Sequence, residues 1–187
     1  HSQTLKCGSG PAVEGATIRN HWQWQRRVTG TTNYKGNMGS NAITPSNIWK
    51  QLEPQSSWAP PCIALEGRCN GLLGRHNKEH PRYFRSIKDG RSHTMLIGED
   101  VPLFNAHSIW VYSNGDYNTT DPPLNYMTNP PQPCNWQDVM GFRSLHVGGA
   151  HFSFADGSAT FLSESIATDV YRALSTRDGG EIAHVDQ

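Results

Sequence analysis

The strongest constraint on how this chain can fold lies near its C-terminal end. Ala150-His151-Phe152-Ser153-Phe154-Ala155 alternates, Asp156-Gly157 follows, and Ser158-Ala159-Thr160-Phe161-Leu162 resumes the alternation. A period of two marks a half-buried strand, because successive side chains point to opposite faces. Two such runs joined by Asp-Gly predict an antiparallel hairpin. A two-residue type I′ turn needs positive φ at both central positions, which Asp156 and Gly157 tolerate. With that turn, Phe152, Phe154 and Phe161 supply the buried face.

The rest of the chain arranges itself around this hairpin. Ile166, Val170, Ala173 and Leu174 fall on one face at helical spacing, so a short helix is expected near 167–176. Thr168 or Ser165 would cap its start and Gly179-Gly180 would end it. Upstream, Thr94–Glu99 is a compact apolar run that predicts a buried strand, and His107–Tyr112 predicts another. Arg85–Gly90 reads as a turn, and Thr32–Asn41 as a short strand entering a Gly/Asn turn. Residues 113–138 form a long polar loop with two Pro-Pro pairs. Only 35% of residues are hydrophobic, with 18 Gly and 12 Pro, so the sheet is modest and the core thin. The expectation is one domain over 1–187 of class α+β: an antiparallel sheet, long loops and a short C-terminal helix.

Charge narrows the partners. Lys+Arg and Asp+Glu both number 16, and the one basic pair, Arg26-Arg27, reads as a solvated loop. Nothing here argues for nucleic acid or an anionic membrane. No run of about 18 apolar residues is present, so no membrane span is expected in this chain. Four cysteines suit two disulfides and an oxidising compartment. Cys62 and Cys69 bracket a short loop and make the natural local pair, leaving Cys7 with Cys134. Free thiols are the alternative; zinc spacing of Cys-x2-4-Cys is missing.

Candidate chemistry is sparse. His76 and His80 are four apart with Glu79 beside them, but Gly71, Gly74 and Pro81 argue against the helix that would make them chelate. There is no Gly-x-Ser-x-Gly elbow, and the Gly-rich stretches at 8–10 and 36–40 lack the Lys-Ser/Thr of a phosphate-binding loop. Asn114, Asp116, Asn118 and Asp121 are spaced as oxygen ligands, so a Ca²⁺ ion is one expectation for that loop. His1, if it is a free N-terminus, offers an amine and an imidazole to copper, as in secreted polysaccharide oxidases. Six Trp offer faces for stacking on glycan rings, or patches for a thin core. No residue is assigned a catalytic role.

One long stretch is recognisable. His146-Val147-Gly148-Gly149-Ala150-His151-Phe152-Ser153-Phe154-Ala155-Asp156-Gly157-Ser158 holds a His, nine residues and then Asp-Gly. This resembles the C-terminal hallmark of a planctomycete-type family of pilin-like proteins of unknown function. Asn33–Gly39 resembles that family's Tyr/Gly segment, and Ile87–Glu99 its Asp-Gly strand ending in Gly-Glu. Val170–Glu181 resembles its closing helix and Gly-Gly-Glu end. The resemblance implies a secreted or cell-surface structural or assembly protein, with other subunits of a homo-oligomer or filament as partners, and surface glycans as further ones. It also implies a prepilin-type N-terminal helix; with Cys7 as the first cysteine, the given chain is expected to correspond to the globular part without that helix. Asp89, Gly90, Gly98, Glu99, His146, Asp156 and Gly157 are the motif residues, with structural roles. For His146 that role is expected to be a hydrogen bond fixing the strand entry against the Asp156 turn; the alternative is a metal or acid/base site at His146 and Asp156.

Overall fold

A computed structural model describes residues 30–41, 62, 69–74, 81–110, 115–135 and 138–181. Five strands form one sheet: β1 Tyr34–Asn37, β2 Met95–Glu99, β3 Tyr117–Asn118, β4 Gly149–Phe154 and β5 Ala159–Ser163. Their spatial order is β3-β1-β2-β4-β5. The pairs β1–β2, β2–β4 and β4–β5 are antiparallel, and the short edge pair β1–β3 is parallel. Among the described residues one short α-helix, α1, spans Thr168–Ala173. The chain is thus α+β, as the sequence pattern predicts. Among the described residues, no helix is long and apolar enough to cross a membrane.

The β4–β5 hairpin forms where expected, with a different turn. The Gly157 amide donates to the Phe154 carbonyl, and the Phe154 amide to the Ser158 carbonyl. Gly157 has φ of 90°, and Asp156 is not in the positive-φ region. This is a three-residue connection with a glycine bulge, not a type I′ turn. Asp156 stabilises it from the side, its Oδ1 accepting both the amide and the hydroxyl of Ser158. Those two hydrogen bonds also hold its carboxyl below the usual range.

The extra residue changes which side chains are inside. A two-residue turn would set Phe161 opposite Phe152, but here Thr160 is opposite Phe152 and Phe161 is opposite His151. Directly opposed residues share a face, and a one-residue slip exchanges the two faces. Phe152 and Phe154 are therefore buried with Leu162, whereas Phe161 is 40% exposed. The expected burial of Phe161 is corrected on this ground.

β2 carries a second register shift. Met95 pairs with Phe154, yet Ile97 pairs with Ser153 and Gly98 with Phe152. Leu96 is the extra residue, and it turns Gly98 inward and Glu99 outward. Gly98 is then required: any Cβ there would collide with the rings of Phe152 and Phe142. These two rings meet edge to face, 5.2 Å between centroids. They join Met95, Leu124, Ala150, Phe154, Leu162, Tyr171 and Leu174 in the main core.

The inner face of β1 is polar but satisfied. Asn37 donates to the carbonyls of Met95 and Ser175 and accepts the Gly39 amide. Lys35 is buried, donating to the His107 carbonyl at 3.1 Å, with Asp100 3.9 Å away. Asp100 also accepts Asn105 at 2.6 Å, Ser108 at 2.9 Å and the Val101 amide at 2.9 Å. The Arg143 Nε stands 3.8 Å from its other side. This cluster replaces the expected strand at His107–Tyr112: the chain turns to meet Lys35, and Ile109 makes a lone bridge to Thr31. Residues 111 and 112 of that expected strand lie outside the described residues.

The helix face is as expected, Leu174 being buried and Ile166, Val170 and Ala173 packing against the core. Its cap is not. The N-cap is Ala167, and no side chain caps it, because Thr168 is already helical. Gly179 and Gly180 do not end the helix either; they lie several residues beyond its C-cap, Leu174. The Cys62–Cys69 disulfide is formed. Arg177 holds its segment by donating to the carbonyls of Cys69 and Gly71. Cys134 is disulfide-bonded as well, while its expected partner Cys7 lies outside the described residues.

Two outcomes follow. Gly98→Ala is expected to destabilise the protein by about 1–3 kcal/mol, as overpacking of a filled core does, read as a fall in the urea midpoint without a change in slope. Lys35 gives a pH signature. Burial pushes its ammonium from 10.5 down to about 8, against the pull of Asp100. The unfolded chain then holds more protons than the native state between those values, so native stability rises with pH across that window, and below it the contribution of Lys35 is flat at its lowest. Relative to Lys35→Met, the wild type should gain on the order of 3 kcal/mol across that window, measured by denaturation at a series of pH values. Parallel curves for the two proteins would contradict the assignment.

Candidate functional site

The two register shifts place one row of side chains across the outer face of the sheet. Tyr34 on β1 pairs with Glu99 on β2, and His151 on β4 pairs with Phe161 on β5. Glu99 and His151 meet between these pairs, the Glu99 Oε2 accepting the His151 backbone amide at 2.8 Å. Parity in the unshifted register would have turned Glu99 and Phe161 into the core.

His146 completes the group from a loop. The Arg143 amide donates to the Glu99 carbonyl at 3.0 Å, which docks the incoming chain beside the end of β2. The Asn125 side chain accepts the Ser144 amide, and the Ser144 hydroxyl accepts the His146 amide. The His146 ring then reaches Glu99, with Nε2 3.2 Å from Oε1. His151 Nδ1 lies 3.5 Å from Oε2. The two imidazoles meet edge to face at 5.0 Å, and the Phe161 ring braces His151 at 5.0 Å from its far side. The Glu99 side chain is only 14% exposed, against 54% and 51% for the two histidines. The carboxylate is thus a floor and the imidazoles are a rim. Among the described residues, this is where three His, Cys, Asp or Glu side chains converge, with donor atoms all within 4.8 Å of one another.

The expected contact between His146 and Asp156 is not made. The His146 ring lies beside His151, and the rest of β4 runs between His151 and the turn at Asp156. Asp156 serves its own turn and His146 serves Glu99. Gly157 provides the positive φ of the bulge.

The other motif residues form a second junction. Asp89 accepts the amides of Gly179 and Gly180 at 2.7 and 2.9 Å and the Thr176 hydroxyl at 3.2 Å. The amides of Lys88 and Asp89 donate to the Arg177 carbonyl. Gly90, at φ of 97°, turns the chain from this junction toward β2. The closing Gly-Gly is therefore a clasp on Asp89, not a helix stop.

Of the oxygen ligands expected for Ca²⁺, Asp116 is exposed, while Asn118 and Asp121 are buried. The Asn118 side-chain Nδ2 donates to the Gly141 carbonyl. Asn114, His1, His76, Glu79 and His80 lie outside the described residues, as do five of the six tryptophans. Trp110 is described and is 71% exposed. The sequence motifs contain Glu99 and His146 separately, and nothing in them marks His151, Tyr34 and Phe161 as neighbours on one face. The available signal was two histidines flanking Gly148-Gly149, five residues apart.

Asp89→Ala should release the 176–180 clasp. The expected effect is a loss of about 1–3 kcal/mol, with faster amide hydrogen exchange at Gly179 and Gly180 and unchanged protection in β4. Equal loss of protection in both places would mean that Asp89 supports the whole fold.

A family described as a protein of unknown function, DUF1559, matches residues 4–169. No curated protein and no solved structure matches the chain.

Proposed function

We propose, from the premise that this chain belongs to the DUF1559 family, the planctomycete-type family its motifs resemble, that it is a secreted or cell-surface, pilin-like protein whose work is structural. It assembles with other protein subunits, in a homo-oligomer or filament, and no residue is given a catalytic role.

The observation that carries this reading is the disulfide chemistry. Cys62–Cys69 is bonded, Cys134 is bonded, and no cysteine among the described residues is free. Such bonds persist in oxidising surroundings and are rare where glutathione keeps thiols reduced. The outer surface supports the assembly role. Leu145 and Val147, flanking His146, are 74% and 98% exposed, and Tyr34 lies on the same sheet face as Glu99. Apolar side chains clustered at one exposed place favour a protein contact over open solvent.

Fractionation of native cells with an antibody against this chain checks the proposal, followed by gold labelling in electron micrographs. The label should fall outside the cytoplasm, on ordered material, and the cysteines should resist alkylation until reduced. A cytoplasmic protein with reactive thiols, or a monomer in native extracts, would end it.

A further inference from the structure

We propose that Glu99, His146 and His151 bind one divalent transition-metal cation of the zinc class, leaving a coordination position open to solvent. The inference goes beyond the structural role and does not depend on it.

The geometry comes first. Donors set tetrahedrally at about 2.0–2.1 Å from zinc stand about 3.3 Å from one another. The two imidazole–carboxylate separations are 3.2 and 3.5 Å. The remaining pair, one nitrogen on each ring, lies within 4.8 Å, and both rings are half-exposed and able to rotate closer. The three donors come from three separate places: the end of β2, a loop and the middle of β4.

The supporting contacts point the same way. Glu99 is held by the His151 amide, so the carboxylate is oriented before any cation arrives. Phe161 braces the His151 ring, and the Ser144 hydroxyl holds the His146 backbone. Ligands held in advance need less ordering on binding. The floor is shielded while the rim opens to solvent, so a water molecule or a group from a partner can take the fourth position.

The donor set selects the ion. Two imidazoles and one carboxylate suit zinc and its neighbours, whereas calcium and magnesium take mainly oxygen. The competing arrangement has both imidazoles simply resting against the Glu99 carboxylate. Half-exposed pairs of that kind contribute little to stability. A metal ion uses the same three groups with all their charge and lone pairs directed at one point.

The test uses the whole chain stripped with a chelator, then titrated with Zn²⁺ against a chromophoric competitor. One equivalent should bind, and the melting temperature should rise with Zn²⁺ but not with Ca²⁺ or Mg²⁺. His146→Ala, His151→Gln and Glu99→Gln should each weaken binding by roughly tenfold or more and remove the melting shift. Circular dichroism checks that each variant is folded. Co²⁺ in the wild type supplies a second readout, as visible ligand-field bands of a nitrogen–oxygen site. Zn²⁺ binding that survives all three substitutions belongs to other histidines and overturns the proposal. So does a wild type with no Co²⁺ bands and no saturable Zn²⁺ binding below about 100 µM.

Discussion

The buried carboxylate of Asp100 is the interaction on which most of this structure depends. It is fully enclosed, with Lys35 on one side and Arg143 on the other, both buried too. Ionised groups in such a place are tolerated only when paired and hydrogen-bonded. Three further donors meet that demand: Asn105, Ser108 and the Val101 amide. Asn105 in turn donates to the Val139 carbonyl, and Arg143 to the Phe104 carbonyl. One carboxylate therefore fixes β1, the 100–108 turn and the 139–143 segment together. A thin apolar core could not hold such long loops by burial alone. Loss of Asp100 would leave two cations buried without their counter-charge, which is the costly way to break such a cluster.

The same cluster builds the surface site. Glu99 and Asp100 are neighbours in the chain and point to opposite sides of the sheet. Arg143 reaches inward to Asp100 with its side chain while its amide binds the Glu99 carbonyl. That double attachment sets the path of residues 143–146 and delivers His146 to the outer face. The interior charge cluster and the exposed histidines are two faces of one junction.

How much of this was legible in the sequence depended on period and parity. The hairpin, β2, the short helix and the local disulfide were all readable, because each is written in contiguous residues. Turn type was not. Asp-Gly fits both a two-residue turn and a three-residue turn with a glycine bulge, and the choice moves Phe161 from the core to the surface. The Leu96 bulge was equally silent, since Thr94–Glu99 reads as an unbroken apolar run. Nothing local in Thr32–Asn41 marks Lys35 and Asn37 for burial, and only distant partners at Asp100, His107 and Ser175 explain it. Side chains whose places are set by contacts dozens of residues away leave no local trace.

The His-x9-Asp-Gly spacing shows how a sequence motif can mislead about contact. Ten positions separate His146 from Asp156, and the natural guess is that they meet. In the fold that interval is β4 with a short lead at each end, so the strand itself keeps them apart. His146 ends one task, reaching Glu99, and Asp156 begins another, closing the bulged turn. Yet the two tasks are coupled through register. The turn at Gly157 decides that Phe161 stands beside His151, and Phe161 is one wall of the site that His146 completes. A two-residue turn would send Phe161 to the core face and leave His151 without that wall. The motif is therefore a device for setting parity: its Asp-Gly end fixes which side of β5 faces out, and its His end uses the face so made.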